Sequence, residues 1–118
     1  MRDKIFIEAL EARCKIGIFD WERRILQKVV IDLEIPADIR RAARRDSIKD
    51  TVDYKAIAKH TLAFVSKSKY YLIETLAEEV AGSILKYFKL PSIRVRVSKP
   101  GALRGSRNVG VEILRKRR

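Results

Sequence analysis

Four side chains in this sequence combine a reactive or hydrogen-bonding group with a restricted local backbone: Glu22, Tyr54, Glu74 and Lys99. Lys99 ends a strand-like run and is followed at once by Pro100-Gly101, and proline disfavours helix at the residue before it. The lysine therefore lies in extended backbone at a sharp change of chain direction. An amine beside other cations, or partly removed from water, has a lowered pKa and can transfer protons near neutral pH. An isolated strand-end lysine is more often an exposed surface charge, so both interpretations stay open.

Glu22 and Tyr54 also have ordinary alternatives. Glu22 follows the bulky Trp21 in a connection between two predicted strands. It is either a half-buried functional carboxylate or an exposed partner of the arginines that follow it. Tyr54 shares the apolar face of a predicted helix with Ile57 and Ala58, so we expect it to pack in the core, with proton transfer by its hydroxyl as the alternative.

Glu74 lies in the first turn of the next predicted helix. An exposed carboxylate there complements the helix dipole and contributes about 0.3–1 kcal/mol. The functional alternative is an anchor that accepts two parallel N–H bonds from a guanidinium, a pterin or a guanine. Cys14 is expected to be a small buried or half-buried residue, and His60 is expected on the surface.

The composition limits the class of protein. A chain of 118 residues with 47% hydrophobic and 36% charged residues is typical of one folded, water-soluble domain. No apolar run is long enough to cross a membrane, and the start of the chain, MRDKIFIEAL, lacks the apolar core of a signal peptide. A single cysteine excludes an internal disulfide, so we expect a cytoplasmic protein. With one histidine and no CxxC or HExxH motif, we expect no metal site and no bound cofactor.

The net charge of +12 is concentrated in two clusters. Four arginines lie within residues 40–45, and residues 115–118 form a basic tail that we expect to be frayed at the end of a single domain, 1–118. Clustered cations favour anionic partners, so a basic nucleic-acid-binding module is one alternative. Clustered charge without a motif is also typical of exposed loops and tails. The last two predicted strands lack the aromatic residues of an RNA-recognition motif, which disfavours that alternative.

The apolar pattern gives the order of the elements. Alternation predicts strands within residues 4–18, 27–38, 92–99 and 108–115, with Ile5, Ile7 and Ala9 on the buried face of the first. Helical spacing predicts a helix over 54–69, with Asp53 as its N-cap, and a longer helix over 71–88. The basic segment between residues 39 and 53 predicts a loop with a short helical turn. The order ββααββ indicates an antiparallel α+β fold with both helices on one face of the sheet.

Four stretches of the sequence together resemble the dihydroneopterin aldolase family of the folate pathway. They are IGIFDWERR followed by Gln27, then DTVDY, LIETLAEEVA, and VSKPGAL with NVGVEI, in the family's order over about residues 4–115. Their combination and spacing are specific, although no single stretch is. The resemblance implies the tunnelling fold, in which ββααββ subunits join their sheets into a ring and two rings commonly stack into an octamer.

The resemblance also implies a reaction. The family cleaves 7,8-dihydroneopterin by a retro-aldol step to 6-hydroxymethyl-7,8-dihydropterin and glycolaldehyde, and many members epimerise the substrate to dihydromonapterin. By the match, Lys99 in SKPG transfers protons with a bound water, without a metal and without forming a Schiff base. Tyr54 in TVDY helps to deprotonate the substrate hydroxyl, and Glu22 in WE orients the lysine, the water and the substrate side chain.

The remaining matched positions bind the pterin. Glu74 in IETLAE matches the residue that grips the 2-amino and ring N–H edge, and backbone groups around Val52 and Ile73 hold the other heteroatoms. In the family the anchor and TVDY come from different subunits, so the expected partners are a pterin and further copies of this chain, as a tetramer or an octamer, with no membrane partner. A dihydroneopterin triphosphate epimerase of the same fold is the alternative, because a triphosphate would suit the basic loop, but SKPGAL matches the aldolase pattern better.

Overall fold

A computed structural model describes residues 3–118, so the predicted domain 1–118 begins two residues before the described part. Within that part, four strands form one sheet in the order β1-β2-β3-β4, and every neighbouring pair is antiparallel. Two long helices cover one face, which confirms the ββααββ order and the α+β class. The elements are β1 Lys4–Cys14, a 3-10 helix Asp20–Arg24, β2 Gln27–Pro36, α1 Arg40–Arg45, a 3-10 turn Ile48–Asp50, α2 Tyr54–Ser66, α3 Ile73–Phe88, β3 Ser92–Ser98 and β4 Gly110–Lys116.

The core lies between the sheet and the two long helices. The predicted inner faces of β2 and β3 are fully buried, and α3 contributes six buried residues along one side. Each large aliphatic side chain removed from water there stabilises the fold by roughly 1.5–3 kcal/mol. The buried strand residues are Val29, Ile31, Leu33, Ile35, Ile93, Val95 and Val97, and the buried residues of α3 are Leu76, Ala77, Val80, Ala81, Ile84 and Leu85.

Strand β1 departs from its predicted alternation at Ala9. Ala9 is exposed rather than buried, with a φ of 56°, and the pairing with β2 shifts register between Ile7 and Leu10. The shift is a β-bulge, which places one extra residue in β1. The Ala9 amide donates to Asp32 Oδ1 at 2.8 Å. The Asp32 side chain therefore replaces the backbone hydrogen bond between β1 and β2 that is lost at the bulge. Beyond the bulge the buried face passes to Ala12 and Cys14.

Helix α2 begins at Tyr54, as predicted, but the side chain of Tyr54 is 57% exposed. The expectation that it packs in the core is therefore wrong. Helical side chains tilt toward the N-terminus, so the side chain of the first residue projects past the helix end and misses the sheet. His60 also differs from its expected surface position, because it is half-buried, lies 2.7 Å from Ser83 Oγ and stacks on Tyr87.

The arginine cluster of residues 40–45 forms the short helix α1, which confirms the predicted helical turn. Three of its four arginines pair with nearby acids: Arg40 with Asp38 at 2.7 Å, and Arg41 and Arg45 with Asp50 at 3.1 and 3.6 Å. The cluster is thus partly neutralised within the chain, which weakens the case for a nucleic-acid interface.

The basic tail is more ordered than the sequence predicts. Strand β4 runs to Lys116, Arg115 pairs with Glu78 on α3, and the Arg117 amide donates to the Pro91 carbonyl at 2.9 Å. The expectation of a frayed tail is therefore wrong for Arg115 and Lys116. No helix within residues 3–118 is both long enough and apolar enough to cross a membrane.

We expect Asp53→Ala to destabilise the fold by about 1 kcal/mol, because N-cap removal costs roughly 0.5–2 kcal/mol. Asp53 Oδ1 accepts the amides of Lys55 at 3.1 Å and Ala56 at 3.2 Å. Asp53→Ser keeps an acceptor at the cap and should lose much less. Urea unfolding at one protein concentration measures both changes, and equal losses for the two variants would contradict the capping role.

Candidate active site

The structure brings Lys99 and Glu22 together across 77 residues of sequence. Lys99 Nζ donates to Glu22 Oε2 at 3.1 Å, and the two side chains are only 15% and 10% exposed. The backbone of Lys99 is held on both sides: its amide donates to the Val109 carbonyl at 2.8 Å, and its carbonyl accepts the Ala102 amide at 3.2 Å. The lysine is thus neither a free surface charge nor a mobile one.

Glu22 is held by the 3-10 helix Asp20–Arg24, which we call the Glu22 turn. Its Oε1 accepts the Phe19 amide at 3.2 Å, and the Gln27 side chain, at the far side of the turn, donates to the Ile16 carbonyl at 2.5 Å. A Cβ at Gly17 would lie 2.2 to 2.5 Å from three atoms of this carboxylate, and Gly17 has a φ of 129°. Glycine is therefore required at position 17 both for its backbone conformation and for the space that Glu22 occupies.

The surroundings keep Glu22 ionised. Burial by itself raises the pKa of the Glu22 carboxyl, but the Phe19 amide, Lys99 and Gln27 together hold that pKa below its usual value of 4.5. The result is a carboxylate–ammonium pair that is largely shielded from water. Such a pair can hold a substrate hydroxyl or a water in one orientation and transfer a proton to or from it.

Cys14 lies at the same end of the sheet as the ion pair and is fully buried, as predicted. Burial raises the pKa of its thiol above the usual 9.0, while a hydrogen bond with Ser68 and the charge of Lys99 oppose that rise. The thiol is therefore neutral at pH 7. Arg23, next to Glu22 in the sequence, donates to the Lys69 carbonyl just beyond α2, so the C-terminal end of α2 lies at this end of the molecule as well.

Glu74 and Ile73 open α3 near this end of the molecule. The loop before α3 is bound to the Glu22 turn, since Arg23 donates to the Tyr70 carbonyl at 2.9 Å. Glu74 is exposed, and Ile73 is half-buried. The N-cap residue of α3, Leu72, has no side-chain acceptor, so amides of the first turn are left open toward the outside. An exposed carboxylate thus lies in an uncapped first helical turn.

Tyr54 and Val52 lie at the other end of α2. This helix has 13 residues and a length of about 20 Å at 1.5 Å per residue, and its far end is the one bound to the Glu22 turn. One copy of the chain therefore does not bring Tyr54 to the ion pair. Of the six predicted site residues, Lys99, Glu22, Glu74 and Ile73 share one end of the molecule, and Tyr54 and Val52 do not.

Sequence reasoning missed three residues that shape this site. Gly17, Arg23 and Gln27 were recognised only as parts of one matching stretch, and Arg23 also as one of the arginines that could pair with Glu22. Their roles depend on contacts between segments that are far apart in sequence. Among residues 3–118, no three His, Cys, Asp or Glu side chains gather closely enough to hold a metal ion.

Comparison with known proteins gives a consistent result. The family model described as dihydroneopterin aldolase matches residues 5–114. The dihydroneopterin aldolase of Haemophilus influenzae is 37% identical over 113 residues, which span 96% of each chain. A Vibrio cholerae crystal structure described as a dihydroneopterin aldolase has a TM-score of 0.94 and 43% identity, covering 98% of both chains. The Escherichia coli dihydroneopterin aldolase in complex with neopterin has a TM-score of 0.91 and 42% identity, covering 96% of this chain and 98% of that one.

The contribution of the Lys99–Glu22 pair to stability should disappear in acid. Because the folded-state pKa of Glu22 is lowered, the unfolded chain binds the proton more tightly, and the contribution is complete above pH 4.5 and lost as the pH falls through the folded-state pKa. Glu22→Gln should lower the free energy of unfolding by up to ~3 kcal/mol at pH 7, since it strands a nearly buried ammonium.

Urea titrations across pH 3 to 7 measure the free energy of unfolding of the wild type and of Glu22→Gln. The difference between the two free energies should become smaller below pH 4.5. Lys99→Met is the matched control, because it removes the other partner and should show the same pH dependence. A difference that stays constant down to pH 3 would contradict the assignment.

Proposed function

The chain belongs to the dihydroneopterin aldolase family, and we propose on that premise which of its residues cleave 7,8-dihydroneopterin in folate biosynthesis. The observation that carries the proposal is the shielded Lys99–Glu22 pair beside the start of α3. In the reaction the hydroxyl of the second side-chain carbon loses its proton, and the bond between the first and second side-chain carbons breaks. The electron pair enters the C=N group of the dihydropterin ring. Protonation of the resulting enamine at the first carbon gives 6-hydroxymethyl-7,8-dihydropterin, and glycolaldehyde leaves.

Lys99 is the proposed proton carrier, acting with a water. The substrate's own C=N group accepts the electrons, so the lysine does not need to form a Schiff base and no metal is needed to stabilise the carbanion. The contact between Lys99 and Glu22 supports this role, because the carboxylate fixes the direction of the ammonium group. Glu22 then orients the lysine, the water and the side chain of the substrate. Recombination of the two fragments on the other face would give the epimer, dihydromonapterin.

Glu74 is the proposed pterin anchor. Its carboxylate would accept two parallel N–H bonds from the 2-amino group and the neighbouring ring nitrogen. The uncapped first turn of α3 supports this placement, because backbone groups around Ile73 are available to the other heteroatoms. Backbone groups around Val52 would complete the pterin contacts from a neighbouring copy.

Tyr54 is proposed to act on a neighbouring subunit's substrate, as a second proton carrier. It is exposed and lies the length of α2 away from Lys99 of its own chain, so only another copy can bring it to the ion pair. The sheet offers a means of assembly, since β1 and β4 are its two edges and each leaves one row of backbone groups unpaired in a single copy. The proposed assembly is a ring of four subunits, alone or stacked as an octamer, in the cytoplasm.

Purified protein incubated with 7,8-dihydroneopterin should release 6-hydroxymethyl-7,8-dihydropterin, as followed by chromatography of the pterins. Lys99→Ala should lower kcat about 10²- to 10⁴-fold, the range for a lost acid–base group, with a smaller effect on pterin binding. Glu74→Ala should do the reverse and weaken pterin binding roughly 10- to 100-fold, because charge-assisted hydrogen bonds are lost.

The possible products distinguish the functions. Dihydromonapterin as the sole product would indicate an epimerase, and no change in the pterin would exclude both activities. Full activity of Lys99→Ala would exclude the proposed role of the lysine. Glu79→Ala, which removes a carboxylate from α3 five residues beyond the anchor, is the control for Glu74→Ala and should leave pterin binding unchanged.

Mixing two inactive variants tests the shared site. Lys99→Ala and Tyr54→Phe, each weakly active alone, should regain activity when they are unfolded together and refolded as one mixture. In a cyclic assembly at equal amounts, about a quarter of the interfaces combine an intact Lys99 with an intact Tyr54. Turnover should therefore rise toward about a quarter of the wild-type rate. Mixing without any gain would show that both residues act within one chain or that one of them is not needed.

A further inference from the structure

Arg23 joins two segments that carry different parts of the proposed site. One of its terminal nitrogens donates to the Gly17 carbonyl at 3.2 Å and to the Tyr70 carbonyl at 2.9 Å. The other donates to the Lys69 carbonyl at 2.5 Å. The guanidinium also stacks on the ring of Tyr71, with its central carbon 4.1 Å from the ring centroid. One side chain thus makes four contacts to three backbone carbonyls and an aromatic face.

The residues at each end of this connection determine what it positions. On one side, Arg23 directly follows Glu22, and it binds the carbonyl of Gly17, the residue against which the Glu22 carboxylate rests. On the other side, Tyr70 and Tyr71 lead through Leu72 into the first turn of α3, where Glu74 lies. The connection therefore runs from the proposed acid–base pair to the proposed pterin anchor.

We propose that Arg23 is a positioning residue that fixes the distance between the Lys99–Glu22 pair and Glu74. The inference rests on the proposed function, because it concerns how a pterin held at Glu74 presents its side chain to Lys99. Arg23 itself binds backbone carbonyls and does not reach the reacting atoms. A displacement of about 1 Å between a binding group and a reacting group can lower a rate on the order of 10²-fold. Turnover would therefore depend on a fixed spacing between Glu74 and the Lys99–Glu22 pair.

The chemistry of the contacts requires arginine in particular. A planar guanidinium can donate in several directions within one plane while its face lies on an aromatic ring. An ammonium group is a compact charge that cannot span carbonyls on both sides of the gap and also stack on Tyr71. Arg23→Lys keeps the charge but loses the connection, so it separates the effect of geometry from the effect of charge.

The test compares Arg23→Lys and Arg23→Ala with Arg24→Ala, which removes the adjacent exposed arginine. For each protein, kcat for 7,8-dihydroneopterin cleavage, the dissociation constant of the 6-hydroxymethyl product and the unfolding midpoint are measured. Both Arg23 variants should lower kcat at least 10-fold and weaken product binding at least 5-fold, because the two halves of the site move apart. For Arg24→Ala, both kcat and the dissociation constant of the product should stay within twofold of the wild-type values.

This joint loss of rate and affinity distinguishes positioning from a purely structural role. A lower unfolding midpoint with unchanged kcat and affinity would overturn the inference, and so would a loss of kcat alone, since Arg23 would then act only on the Glu22 turn. If Arg23→Ala does not fold, Tyr71→Leu replaces it in the test, because this change removes the stacking and keeps the hydrogen bonds of Arg23. Tyr71→Leu should lower both kcat and product affinity, by less than Arg23→Ala would.

Chemical rescue provides a second readout. Ethylguanidinium added to Arg23→Ala should restore both kcat and product affinity, whereas ethylammonium at the same concentration should restore neither. Equal rescue by the two cations would overturn the geometric argument. If the wild type does not turn over 7,8-dihydroneopterin, the proposed function fails and this inference fails with it. If the wild type is active and the Arg23 variants are equally active, only this inference fails.

Discussion

The ion pair between Lys99 and Glu22 is the constraint on which the rest of this structure depends. Its partners are 77 residues apart, one in a short 3-10 helix and the other just after a strand, so neither local segment can form it alone. The antiparallel order β1-β2-β3 brings the end of β3 beside the connection between β1 and β2, which carries Glu22. The sheet thus brings the two segments within reach, and the hydrogen bonds to the Lys99 backbone and the space at Gly17 set the contact.

A nearly buried ion pair contributes little net free energy to the stability of a protein. Removing two charges from water costs several kcal/mol, and an apolar pair of the same size is often as stable. Here the hydrogen bond from the Phe19 amide offsets part of that cost at the carboxylate. The remaining cost is consistent with selection for chemistry, because a fixed amine–carboxylate pair in a site with little water transfers protons along a defined direction.

Predictability from the sequence followed the range of the interactions. Helix α3 and strands β2 and β3 were predicted correctly because each buries one regular face. The apolar residues of such a face recur in the sequence with the period of the helix or strand. The bulge at Ala9 was not predicted, because it depends on the Asp32 side chain of the neighbouring strand, which accepts the Ala9 amide. The exposure of Tyr54 was missed because helical spacing shows which side of a helix a residue occupies but not that the first residue projects beyond the packed surface. The role of Arg23 was missed because two of its three carbonyl partners, Lys69 and Tyr70, lie 46 and 47 residues away in the loop before α3.

The two long helices have different tasks in the proposed enzyme. Helix α3 begins at the ion pair's end of the molecule, so Glu74 and Lys99 of one chain can act on one substrate. Helix α2 runs away from that end, and Tyr54 lies at the opposite end of this rigid helix, which is about 20 Å long. No motion of side chains closes such a gap, because even a long side chain extends less than one-half of it. The same helix that fills the core therefore prevents a single copy from completing the proposed site. Assembly then becomes a condition for the chemistry and not only a means of covering the edges of the sheet.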